Sequence, residues 1–202
     1  MKRKMFNVKY KSNNQKLLYL ILIGLALLAF ILGIIFIFFI TDDNLIYIKE
    51  SLSSYFNSID ISISSFFKNL FNNFIIIFLI WILGISIIGI PLVLLIFLFK
   101  SFIFGFSFSS IVYSFKLKGF LISLIHLLPG KLLYLVTLLL LTFYSVSFSL
   151  KLFRNLFLKR PTNFKESMDK YFKILMICLF SSLIVTLYDS FLANYLVNMF
   201  DI

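Results

Sequence analysis

The chain has 202 residues, 61% of them hydrophobic and 13% charged, and its mean hydropathy is +1.06. A soluble domain of this length carries about a quarter charged residues and about half apolar ones, and so small a domain leaves much of its surface in solvent. The composition therefore excludes a water-soluble globular enzyme. The solvent is lipid, and one integral membrane domain spanning 1–202 is expected.

The formal charge of +11 is concentrated beside apolar runs. Lys2, Arg3, Lys4, Lys9, Lys11 and Lys16 form one basic cluster; Lys151, Arg154, Lys159, Arg160, Lys165, Lys170 and Lys173 form another. Basic residues that flank spans mark the cytoplasmic side and meet anionic lipid. A nucleic-acid reader interleaves aromatic and basic residues on a solvated face, a pattern missing here, so no nucleic-acid partner is expected.

Residues 1–16 are expected to be a basic cytoplasmic tail. Leu17–Ile40 is an uncharged run long enough to cross a hydrocarbon core about 30 Å thick. Its length, and the lack of small residues around Phe38-Phe39-Ile40, set it apart from a cleaved secretory leader. Residues 41–73 form a polar segment in which Lys49 and Lys68 face Asp42, Asp43, Glu50 and Asp60. The asymmetry of basic residues puts the N-terminus and 151–173 inside and 41–73 outside.

An odd number of crossings must then lie between Phe74 and Leu150, and three fit. The first inner turn falls either at Gly89-Ile90-Pro91, since proline favours a helix's first turn, or at Lys100. Gly119–Leu150 is too long for one crossing, and Pro129-Gly130 is expected to divide it into a short half-helix and a full span. A last span, Ile174–Val197, carries the C-terminus out. The expected fold is all-α: a polytopic transmembrane helix bundle of about five crossings, with broken helices near Pro91 and Pro129.

Small residues recur where helices can touch. Ser101, Gly105 and Ser109 stand four apart, Ala29 and Gly33 repeat the spacing, and Gly84 and Gly89 add gaps. Such a row lets two backbones approach closely. It suits packing within one chain, or an interface between copies in a homo-oligomer.

Residues able to carry chemistry are few. Cys178 and His126 are each the only one of their kind, so neither a disulfide nor a Cys- or His-based metal site is expected. Ser86 and His126 resemble the pair of a rhomboid-type intramembrane protease, but no supporting polar cluster accompanies them. No catalytic residue, metal ligand or cofactor is expected. Asp189 is the one acid well inside a span, and intramembrane carboxylates need a partner. Counted along the helices, Lys131 and His126 fall at its level, so Asp189 is expected to pair with one of them.

The run Trp81-Ile82-Leu83-Gly84-Ile85-Ser86-Ile87-Ile88-Gly89-Ile90-Pro91, continuing to Lys100, resembles the central segment of the stage II sporulation protein M family. Gly105-Phe106, Gly119-Phe120-Leu121, Leu127-Leu128-Pro129 and Phe148-Ser149-Leu150-Lys151-Leu152 extend the resemblance over 71–155. The chain departs from the family's usual pattern at Ser101, where Gly is common, and at Gly130-Lys131. The resemblance implies a non-catalytic scaffold of the sporulation engulfment machinery in the mother cell's septal and engulfing membrane. It also implies extracytoplasmic partners: cell-wall hydrolases of the stage II sporulation D and P types, which cut peptidoglycan. The competing reading from the residues alone is a transporter or channel subunit with discontinuous helices.

Overall fold

The computed structural model describes residues 2–57, 63–157 and 164–192. Its helices are α1 (Lys2–Phe36), α2 (Asp42–Asn57), α3 (Ile63–Gly84), α4 (Gly89–Ile122), α5 (Leu128–Phe157) and α6 (Phe164–Leu187). A short 3-10 turn, Ile37–Phe39, follows α1, and π-helical turns at Ser123–Leu127 and Tyr188–Leu192 precede α5 and follow α6. Five of these helices are long and apolar enough to cross a membrane. The fold is the expected all-α polytopic bundle.

The exterior explains the composition. Leu20, Leu28, Leu32, Leu95, Phe180 and many other large apolar side chains point outward, as lipid requires. The interior is packed by Ile77 and Ile80 of α3, Val93 and Phe97 of α4, Leu138 and Leu141 of α5, and Leu175 and Cys178 of α6. Between them lie buried hydroxyls, among them Ser101, Thr142, Ser145, Ser149 and Thr186, whose small side chains let helices approach.

The turn expected at Gly89-Ile90-Pro91 or Lys100 is at residues 85–88, between α3 and α4, and Lys100 is part of α4. The last turn of α3 tightens, with Ile85 N–H donating to Ile82 and Ser86 N–H to Leu83. That leaves the Trp81 carbonyl without its intrahelical donor, the usual fate of the last carbonyls of a helix. The Tyr171 hydroxyl of α6 donates to it at 2.9 Å and accepts from Ser145 of α5 at 2.7 Å. Ser149 of α5 donates to the turn's Ser86 carbonyl at 2.9 Å. Two other helices thus supply the donors that water would supply in a soluble protein. The Tyr171 ring is stacked between Trp81 and Phe148, with centroids at 5.7 and 4.8 Å. Pro91 lies in the first turn of α4, where a missing N–H leaves no bond unmade, so the discontinuity there is the turn itself.

α4 is interrupted at Lys116, whose φ of 51° and ψ of −126° lie outside helical space. The chain doubles back: a Cβ on Gly119 would overlap the Ile111 carbonyl oxygen, and Phe120 meets Phe108 edge to face at 6.3 Å. A lysine pays a steric cost in this conformation that glycine does not. Lys116→Gly should therefore raise stability by about 1 kcal/mol, read as a higher thermal midpoint in detergent.

From this turn Leu117–Ile122 is helical, and the π turn Ser123–Leu127 passes directly into α5, so the division expected at Pro129-Gly130 is displaced: the break is at Lys116, and Pro129 lies in the first turn of α5. Pro129 cannot donate to the Ile125 carbonyl four residues back, and the Tyr188 hydroxyl donates to that oxygen instead at 2.7 Å.

Two boundaries differ from the sequence reading. The second span begins at Ile63, eleven residues before Phe74, so 63–73 of the supposed extracytoplasmic segment are helix continuous with the span. Phe66, Phe67, Leu70 and Phe71 make that stretch apolar enough. The last span runs Phe164–Phe191, beginning ten residues earlier than Ile174. Its expected end at Val197, like residues 158–163, lies outside the described residues.

The small-residue row is used within the chain. Gly105 of α4 faces the Phe30 backbone of α1, while Gly33 of α1 faces Phe102 and Phe106 of α4. Ser101 turns its hydroxyl back to the Phe97 carbonyl at 3.0 Å, and Ser109 does the same to Phe106.

Candidate functional site

One end of the bundle, the near end, holds the 85–88 turn with Ser149 and Tyr171. The far end holds the Lys116 reversal, the π turn before α5 and helix α2. Asp42 and Asp43 place negative charge on the first turn of α2, matching the helix dipole. Leu52 of α2 packs against the small cluster of Ile111, Ile122 and Leu127.

Polar and charged groups gather in the far half. Lys131 Nζ lies 3.3 Å from Asp189 Oδ2, with the carboxylate side chain 11% exposed and the lysine 49%. Gly130 makes the approach possible: a Cβ there would overlap Asp189 Oδ1 and stand 2.8 Å from its Cγ. Partial burial, and then the Asp189 charge, raise the Tyr55 hydroxyl of α2 above its ordinary pKa. His126 stands in the π turn, but its side chain lies outside the described residues.

Beside this pair is a cavity of about 130 Å³ between α3, α4 and α5. Its polar lining is Asn73, Lys100, Ser107, Lys131 and Tyr134. The Asn73 side-chain amide donates to Thr186 at 3.1 Å, and the Asn73 backbone carbonyl accepts from Tyr134 at 3.5 Å. Lys100 is the notable member. It stands eleven residues past Gly89, about 16 Å along α4 at 1.5 Å per residue, which is midway across a bilayer. A lysine there costs roughly 2.5–3.5 kcal/mol on insertion scales. No hydrogen bond or ion pair to a described residue offsets that cost.

Sequence reasoning missed Lys100, Asn73, Ser107 and Tyr134 as neighbours. Lys100 was readable as a membrane flank, and only the placement of the turn at 85–88 turns it into an intramembrane charge. Of the other residues singled out, Gly84 and Gly89 belong to the near turn, and Gly105 and Ser109 to the α1–α4 seam and its far extension. Ser86 stands in the turn before α4 and His126 in the π turn after it. Among the described residues no cluster of three His, Cys, Asp or Glu could hold a metal.

The ion pair has a direct test. Lys131→Asp or Asp189→Lys alone should each cost about 2 kcal/mol, below the roughly 3–5 kcal/mol of a fully buried pair because Lys131 is half exposed. The double exchange should recover at least half of the summed loss in a thermal unfolding cycle. A double variant as unstable as the sum of the two singles would mean the contact contributes nothing.

A family model described as stage II sporulation protein M matches residues 21–194. The chain belongs to the stage II sporulation protein M family. The match takes in the second half of α1, every later span, the near turn and the far-half cavity. Membership makes this a sporulation-related membrane protein. No curated protein and no solved structure matches it.

Proposed function

We propose that the protein is a non-catalytic membrane scaffold of the sporulation engulfment machinery, localising peptidoglycan hydrolases at the septal and engulfing membrane. The observation that carries this reading is the family match over 21–194, which takes in most of the first span and all of the other four. The basic residues in the first half of α1, and from the end of α5 through the start of α6, support an orientation with the near end cytoplasmic. The far end then faces the wall, and α2, with its acidic first turn and exposed Ile46 and Tyr47, is the surface offered there to hydrolases of the stage II sporulation D and P types.

Affinity capture of the full chain from sporulating cells, followed by identification of what accompanies it, tests the reading. Enrichment of the two hydrolases, lost when Ile46 and Tyr47 are changed to Asp, is the expected result. Hydrolases that reach the septum normally in cells lacking this protein would overturn it.

A further inference from the structure

We propose that the cavity between α3, α4 and α5 is an anion site that takes one phosphate-type oxyanion, with Lys100 as its charge partner. The inference is independent of the scaffold reading, since it rests on the intramembrane charges alone. Three charges meet here: the ammonium groups of Lys100 and Lys131 and the carboxylate of Asp189. The carboxylate is held on Lys131 by the space at Gly130, so one positive charge is left over, and it belongs to Lys100. In a low-dielectric interior an unpaired charge interacts strongly with any counter-charge that can reach it.

The lining is suited to such a counter-charge. Asn73 and Tyr134 are engaged with each other, which leaves Lys100, and Ser107 two turns further along α4, as the groups without a bonded partner among the described residues. Both are donors, and they project into the same space. A volume of about 130 Å³ accommodates a phosphate group. The surplus of one positive charge favours a monoanion, the charge of a phosphodiester.

The cavity extends from the level of Leu138, deep in the bundle, to Leu127 and Lys131 at the far end. Lys131 is half exposed there, so an anion can enter from the headgroup region. The ligand chemistry is shared by an anionic lipid headgroup and by free inorganic phosphate.

The test uses the full chain, stripped of lipid in maltoside detergent, with thermal unfolding as the readout. Phosphatidylglycerol and inorganic phosphate are the probes, and diacylglycerol is the uncharged control. At a hundredfold excess over Kd, linkage raises Tm by about 5–10 °C for a chain of this size. Lys100→Met should be more stable than the wild type without ligand, because its unpaired charge is gone, and should lose the ligand-induced rise. Lys100→Arg should keep the rise. A shift with phosphatidylglycerol alone assigns the site to a lipid headgroup, and a shift with phosphate as well assigns it to a soluble anion.

The proposal is overturned if neither probe moves the wild-type Tm, if diacylglycerol moves it equally, or if Lys100→Met responds like the wild type. A wild type blind to both probes, whose Lys100→Met variant loses a co-purifying membrane protein, would instead identify the counter-charge as a partner's carboxylate.

Discussion

Gly105→Leu should separate α1 from α4 and lower stability by about 3 kcal/mol, near the upper end of the usual cost of overpacking. The atoms in the way are backbone. A Cβ at Gly105 overlaps the Phe30 carbonyl oxygen and stands 2.9 Å from its carbon and 3.1 Å from its Cα. A side-chain neighbour could change rotamer, but the axis of α1 has to move. Gly33 makes the same contact in reverse, with Phe106 N at 2.8 Å from its would-be Cβ, so the two glycines are halves of one interlock. α1 and α4 form the most extensive helix pair among the described residues. A shift of α1 therefore also loosens Phe36 from Phe102 and Phe30 from Phe104, now at 5.5 and 5.1 Å between centroids. Gly24→Leu is the control on the same helix: nothing lies within 4 Å of its would-be Cβ. Thermal unfolding should show Gly24→Leu within about 0.5 kcal/mol of wild type and Gly105→Leu far below it. Equal effects would mean helix propensity, rather than the interlock, dominates.

Gly84→Val is expected to cost about 3–4 kcal/mol, because one added side chain disturbs three groups at once. Its Cβ overlaps the Tyr171 hydroxyl and stands 2.6 Å from Ser145 Cβ. Moving Tyr171 breaks its bonds to the Trp81 carbonyl and to Ser145, each worth about 1 kcal/mol net and more when the acceptor is left buried without water. The overpacking itself adds about 1–3 kcal/mol. The hydroxyl is the nearest obstacle, and this makes the mechanism separable. In a double-mutant cycle, Gly84→Ala with Tyr171→Phe should cost less than the two single changes added together. Strict additivity would show that the damage lies in the backbone turn and not in the tyrosine cap.

The first span was legible because an uncharged run of bilayer length has no other use, and the near turn because glycine and proline punctuate the chain at 84–91. The start of α3 was not. Ser64, Ser65, Lys68, Asn72 and Asn73 read as a polar loop, yet Asn73 is satisfied by Thr186, 113 residues away, and by Tyr134. Local composition carries no trace of partners that distant. Lys100 failed for a related reason: a basic residue inside an apolar run looks like the end of a span when two candidate turns lie eleven residues apart. For Asp189, counting helical rise gave the level shared with Lys131 and His126. The choice of Lys131 follows from the space that Gly130 leaves, which depends on how α5 meets the end of α6.

Membrane placement is the claim on which the rest depends, and thiol labelling in sealed vesicles tests it most directly. Native Cys178 is buried and supplies a silent background. Cysteines introduced one at a time at Ile88, 80% exposed in the near turn, and Leu117, 84% exposed at the far reversal, should react with a membrane-impermeant reagent from opposite sides. Phe99→Cys, on a lipid-facing position 58% exposed, should react from neither side until detergent is added. Labelling of Phe99→Cys from the aqueous phase, or of Ile88→Cys and Leu117→Cys from the same side, would contradict the five-span arrangement and the intramembrane position of Lys100.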